Sequence, residues 1–387
     1  MTRTPLDRCR RVALAALCVA ACNTSTVSDP GRAPGEPLAG LSAAELGRFR
    51  AGQALFDRVF QPAEGLGPAF NENQCSACHT DPASGGTGEQ RVVKATRFDG
   101  GTCDQLALAG GLNVRTQVTP ALRARGVERE SPPAAATARG RFTPPFLFGL
   151  GLVEAVPDDA ILARHDPDDA DGDGISGRAA RLADGRLGRF GRKAEFPTLV
   201  EFAAGALRLE MGLTTPLDPT EPPVNGAPVP AGVDPVPDPE MSRETLDLLT
   251  DYVRFLAPLA RWSPEAVVVA DSIARGRRLF ARAGCPSCHV PTLTTGSNAV
   301  RLYSDLLLHD MGRGLADVCA ATAAPSELRT EMLMGLRYRK VFLHDGRAPT
   351  VRDAILLHGG EALPAMEAFT RLSLREQIYL LRFLDSL

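Results

Sequence analysis

The amino-acid sequence predicts a mainly α protein built from two similar units in tandem, and three observations predict it. The pentapeptide pattern C-x-x-C-H occurs twice, as Cys75-Ser76-Ala77-Cys78-His79 and as Cys285-Pro286-Ser287-Cys288-His289. Each copy follows a helical segment carrying the same small-to-aromatic spacing, Gly52-Gln53-Ala54-Leu55-Phe56 and Gly276-Arg277-Arg278-Leu279-Phe280. Apolar residues at helical period then recur before each unit ends. The chain of 387 residues, 44% hydrophobic, is long enough for two cores. Its 37 glycines and 31 prolines predict long irregular connections as well. A formal net charge of −3 gives no basic face for nucleic acid. No apolar run reaches the roughly 18 residues of a membrane span.

From the N-terminus, Arg3, Arg8, Arg10 and Arg11 precede the apolar stretch Val12–Ala21, the pattern of a secretory signal. It ends in Val19-Ala20-Ala21-Cys22, which resembles a bacterial lipobox. The expectation is a signal peptide over 1–21, lipid on Cys22, and a flexible tether over 22–40 rich in Ser, Thr, Pro and Gly. The mature chain would face the periplasm or cell envelope, held to a membrane by its lipid.

The first unit (41–262) opens with the Ser42-x-x-Glu45 capping box. C-x-x-C-H is the attachment sequence of c-type haem: two thiols form thioethers to the vinyl groups and the adjacent His ligates the iron. A zinc reading lacks further Cys or His at ligand spacing. A dithiol redox reading leaves the His after both pairs unexplained. Cys75, Cys78 and His79 are thus expected to hold one haem, and Cys285, Cys288 and His289 a second. Both units match the first helix of a cytochrome c domain.

Between the motifs, Arg141–Pro157 reads as a buried Gly/Pro-punctuated turn. Pro197 opens a predicted helix through Leu199, Phe202, Ala206 and Leu209 to Glu210-Met211-Gly212. Thr214–Glu240 holds nine prolines without periodicity and reads as a long loop, and Ser242–Leu259 as an amphipathic helix. Asp169-x-Asp171-x-Asp173-Gly174 resembles the start of a calcium loop, with Ala180 where the twelfth-position Glu would stand. Calcium competes there with a solvated acidic turn.

The second unit (263–387) starts near Ser263-Pro264-Glu265. Its candidate sixth ligand is His358: Val351, Ala354, Ile355 and His358 follow the i, i+3, i+4, i+7 rule and share an apolar face. His309 and Met311 stand as alternatives, His344 reads as structural, and His165, beside the Asp cluster, as exposed. Once Cys9 and Cys18 leave with the signal, Cys103 and Cys319 are the remaining thiols, and an exported chain would allow them to pair.

Here a resemblance enters. FGLGLVEAVPD (148–158), DPDDADGDGISGR (166–178), SDLLLHDMG (304–312) and FLHDGRA (342–348) resemble the di-haem oxidoreductase family, often labelled thiol oxidoreductase. That family is related to the bacterial di-haem cytochrome c peroxidases. The resemblance runs from about residue 41 to the end. It implies an electron-transfer C-terminal haem bound by His289 and His358, and a reactive N-terminal haem on His79. It also implies that Glu210, in an E-M pair beyond Thr198-Leu199-Val200-Glu201, moves a proton in peroxide cleavage; a solvated carboxylate is the plain alternative. The chain departs from the peroxidases in lacking their inter-haem Trp: Phe190-Gly191-Arg192-Lys193-Ala194 stands in that segment, and Trp262 lies elsewhere. The function expected is a peroxidase-like di-haem oxidoreductase taking hydrogen peroxide and a periplasmic redox protein as donor or acceptor. The alternative is a di-haem electron-transfer lipoprotein without catalysis.

Overall fold

The computed structural model describes residues 31–295 and 298–387; the signal segment and Cys22 lie outside them. Among these, eleven α-helices alternate with ten short strands. Helix amounts to 32% and strand to 15%, so the mainly α expectation is corrected to a mixed architecture. Six of the ten strands lie in the first unit, whose long insertions satisfy their backbone groups in small antiparallel pairs rather than in helices, and the second unit adds two such pairs.

Helices nevertheless frame both units. Ala43–Phe56 starts at the expected capping box, Ser42 receiving the Glu45 N–H and Glu45 the Ser42 N–H, and it packs against Arg243–Phe255. Val267–Arg282 packs in the same way against Leu374–Asp385. A glycine sits at each crossing. A Cβ on Gly52 would lie 2.1 Å from the Leu248 carbonyl oxygen, and one on Gly276 would lie 1.9 Å from that of Tyr379. Only a residue without a side chain lets these backbones meet, which is why the G-x-x-x-F spacing recurs. Phe56 then packs on Tyr252 at 5.0 Å between ring centres, and Phe280 on Phe383 at 5.3 Å.

The insertion of the first unit forms a four-stranded antiparallel sheet around Val92–Asp99, which pairs with Thr102–Asp104, Asn113–Val114 and Ala138–Phe142. Ala138–Phe142 and the helix Leu150–Glu154 correct the reading of 141–157 as an irregular buried turn. The expected helix after Pro197 is present as Leu199–Ala206, capped by Thr198, and continues as one π-helical turn, Leu207–Met211. The helix of the second unit begins at Val267 rather than at Ser263. Residues 214–240 hold no helix or named strand.

Two cores result. The larger spans both units, joining Phe49 and Leu246 to Leu302 and Leu307; the smaller packs Phe280, Phe369 and Phe383. A Cys103–Cys319 disulfide ties the sheet to the second unit across 216 residues. No helix among the described residues is long and apolar enough to cross a membrane.

Candidate functional site: two cavities above the Cys-x-x-Cys-His segments

Each C-x-x-C-H segment closes one wall of a cavity, about 210 Å³ in the first unit and about 190 Å³ in the second. The four motif cysteines are unpaired, unlike Cys103 and Cys319.

In the first unit Cys75–Cys78 form one helical turn and His79 ends it. The His79 Nδ1 donates to the Gly86 carbonyl at 2.9 Å. Burial lowers its pKa, so the ring is neutral and Nε2 keeps its lone pair for a metal. Gly86 belongs to a turn so tight that a Cβ would lie 1.8 Å from the Asp81 carbonyl oxygen. The second unit repeats the device: His289 Nδ1 donates to the Tyr303 carbonyl at 3.0 Å. Burial, then the neighbouring His358, lowers the His289 pKa to about 4.

The facing walls differ. Opposite His289 stands His358, just past the helix Val351–Leu356 that Thr350 caps. Its Nδ1 donates to the Ala354 carbonyl at 2.7 Å and burial lowers its pKa, leaving Nε2 as a second lone-pair donor. The two ring centres are 6.5 Å apart. Two metal–nitrogen bonds of about 2.0–2.1 Å, plus about 1.1 Å from each nitrogen to its ring centre, sum to about 6.3 Å. One iron between the rings therefore fits. His309 is otherwise engaged: Nε2 meets Asp305 at 2.9 Å and Nδ1 meets Glu361 at 2.8 Å. Burial opposes charge there, yet hydrogen bonds with Asp305, Cys288 and Glu361 outweigh it and push His309 up to about 12. It is a clamped imidazolium beside the Cys288 sulfur, at 3.6 Å. Met311 lines the same cavity.

Opposite His79 there is no second histidine among the described lining residues. Glu210 is there instead, on the π-helical turn. The Asn71 Nδ2 donates to its Oε2 at 2.7 Å, and the Asn113 Nδ2 donates to its Oε1. Burial raises the Glu210 pKa despite these donors. The carboxylate is part-buried and oriented by these two amides. The sheet builds this wall: Asn113 pairs with Lys94, and Val92 with Phe142, and all four side chains line the cavity.

Arg192 lines both cavities. Glu331 holds it at 2.7 Å, Arg339 at 2.9 Å and Arg329 at 3.6 Å. Burial pushes the Glu331 carboxyl up, but the three guanidinium groups outweigh it and keep it well below the usual range. Three cations on one anion leave positive charge on the shared wall, the complement of a haem's carboxylate side chains. Trp262 lines neither cavity; Arg337 covers its ring at 5.2 Å.

Asp166, Asp169 and Asp171 come within ligand distance of one another, whereas Asp173 is not in that group. Asp166, Asp169, Asp171 and Asp173 all accept backbone N–H groups of their own loop. His165 is not simply exposed: its Nδ1 accepts the Ala179 N–H at 3.1 Å. His344 Nε2 lies 2.8 Å from Asp317. Sequence reasoning missed Asn71, Asn113 and the arginine cluster, whose partners are far away along the chain.

The model of the family described as "Di-haem oxidoreductase, putative peroxidase" matches residues 137–387. Similar solved structures include hydrazine synthase from Kuenenia stuttgartiensis (TM-score 0.42, 14% identity, covering 98% of this chain and 100% of that one). Another is the di-haem peroxidase BthA from Burkholderia thailandensis E264 (TM-score 0.42, 16% identity, covering 88% and 86%). No curated protein matches this chain.

Proposed function

The chain belongs to the di-haem oxidoreductase family, and from that premise we propose an exported, lipid-anchored, peroxidase-like enzyme whose two covalent c-type haems do different work. Cys285, Cys288, His289 and His358 hold an electron-transfer haem, and Cys75, Cys78 and His79 hold a reactive one. The observation that carries this division is the difference between the facing walls: His358 stands 6.5 Å, ring to ring, from His289, while Glu210 faces the His79 side in a wall without a second histidine among the described lining residues.

When bound, haem iron supplies the electrons for reductive cleavage of a peroxide O–O bond. The protein's part is proton handling and orientation. Asn71 and Asn113 aim both Glu210 oxygens and favour the carboxylate that accepts a proton from the proximal peroxide oxygen. Burial raises the pKa of Glu210, which makes the carboxylate a stronger base toward the proximal oxygen; the proton it takes up is then passed to the distal oxygen as that oxygen leaves. The apolar walls Phe142, Phe196, Phe202 and Leu249 keep bulk water from competing. His79, fixed by Gly86, and His289, fixed by Tyr303, present Nε2 without rotation. A periplasmic redox protein would serve as donor or acceptor to a haem held by His289 and His358.

The test is ligand stoichiometry. The reduced protein should bind one CO per chain, at the first site, with half its haem low-spin; two low-spin haems indifferent to CO would leave the non-catalytic electron carrier. Export is read separately: palmitate labelling should vanish in Cys22→Ala, and labelling that survives would place the anchor elsewhere.

A further inference from the structure

Away from both cavities, the proline-rich segment that follows Glu210 brings four acids together. Oxygens of Glu221, Asp234, Asp238 and Glu240 all lie within 4.8 Å of one another. This is not a solvated acidic patch. Both carboxylate oxygens of Glu221, and Oε1 of Glu240, are shut off from solvent and accept no hydrogen bond. A buried carboxylate without a donor is among the costliest groups a protein can hold. The cation whose field reaches Glu221 is Arg115, but its Nη1 makes no hydrogen bond and no Arg115 nitrogen bonds to the Glu221 carboxylate. Its Nε and Nη2 go to Glu130 at 2.8 and 2.6 Å, and Nη2 also reaches the Pro223 carbonyl at 3.0 Å. The remaining oxygens are organised: Glu240 Oε2 accepts the Thr214 N–H at 2.7 Å, and Asp238 Oδ1 accepts the Thr214 hydroxyl at 2.7 Å.

We propose that Glu221, Asp234, Asp238 and Glu240 form a calcium site. The donor set is all oxygen and strongly anionic, which selects a hard divalent cation. Calcium–oxygen bonds of about 2.3–2.6 Å permit ligand oxygens up to about 5 Å apart across the ion, so oxygens that all lie within 4.8 Å of one another can share one. Magnesium keeps several waters and is held through one or two carboxylates, so four converging carboxylates suit calcium better. Without an ion, both Glu221 oxygens and Glu240 Oε1 have no group to bond. The Asp166–Asp169–Asp171 turn offers a contrast, because its carboxylates are already satisfied by backbone donors.

The site also has a place in the fold. Thr214, gripped by Asp238 and Glu240, lies four residues after Glu210, and its carbonyl accepts the Met241 N–H at 3.1 Å. The ion would pin the loop over 214–240 to the chain just beyond the π-helical turn. The proposal is independent of which haem reacts with peroxide.

Elemental analysis of the holoprotein, then calcium titration by calorimetry after chelator treatment, tests it. One calcium per chain should bind and raise the Tm. Glu221→Gln should weaken binding at least tenfold and remove the calcium-dependent rise, while the Asp169→Asn/Asp171→Asn double variant should keep both. Should Glu221→Gln fail to fold, Asp238→Asn, at an exposed position, should still weaken binding. Chelated protein that takes up no calcium at millimolar concentration overturns the proposal. So does binding lost in the double variant but kept in Glu221→Gln and Asp238→Asn.

Discussion

Replacing Glu210 by Gln keeps the shape of the side chain and removes its ability to take a proton. If the carboxylate is the acid–base group, peroxide turnover should fall by about 10²–10⁴-fold, equivalent to about 2.7–5.5 kcal/mol in the barrier. The structure adds a pH signature. Burial raises the Glu210 pKa, and the working base is the ionised form, so the rate should fall on acidification at a pH above the ordinary carboxylate range. Asn113 donates to Oε1 and lowers that pKa. A hydrogen bond to a charged group is worth about 1.5–3 kcal/mol, and 1.36 kcal/mol is one pKa unit. Asn113→Leu should therefore move the acid limb up by about one to two pH units. The assay is stopped-flow oxidation of a reduced donor by hydrogen peroxide across pH, with CO binding as a control that needs a site and no proton. A Glu210→Gln rate within about threefold of wild type, with the acid limb unmoved, would refute the assignment.

Three further outcomes follow from the geometry. His358→Ala should raise CO binding from one to two equivalents per chain and turn the remaining low-spin haem high-spin; unchanged spectra in folded protein would point to Met311, since His309 is clamped by two carboxylates. Gly276→Ala would place a Cβ 1.9 Å from the Tyr379 carbonyl oxygen and should cost about 1–3 kcal/mol or more in urea unfolding, as should Gly52→Ala; neutral changes would deny the shared helix crossing. Cys103→Ser with Cys319→Ser opens a cross-link spanning 216 residues and should cost about 5 kcal/mol on the loop-closure estimate, read against the oxidised protein.

What was legible in the sequence was local. The capping box at Ser42, the spacing around Gly52 and Gly276 and the apolar face carrying His358 each depend on neighbours within about two helical turns. What stayed hidden depends on partners far along the chain. Asn71 and Asn113 reach Glu210 across 139 and 97 residues, and Arg192 reaches Glu331 across 139. The strand Val92–Asp99 owes its existence to Ala138–Phe142. In the proline-rich segment, acids spread from Glu221 to Glu240 show no spacing that announces a cluster.

The same division explains how two copies of one motif can differ in chemistry. Everything on the motif side is duplicated: a glycine at the crossing of the framing helices, an aromatic four residues on, and a histidine whose Nδ1 is occupied by a nearby carbonyl. The facing wall is built differently in each unit. In the second, a short capped helix delivers a second imidazole, which would saturate an iron and suit it to carry electrons. In the first, an inserted sheet and a π-helical turn deliver an oriented, part-buried acid with no competing imidazole among the described lining residues. The strands that make this fold less helical than its motifs suggest therefore supply the wall on which the proposed reactivity rests. Moving Glu210 alone would not convert one site into the other: without Asn71, Asn113 and the sheet that carries Asn113, the carboxylate would not be aimed and would lose the two donors that oppose its raised pKa.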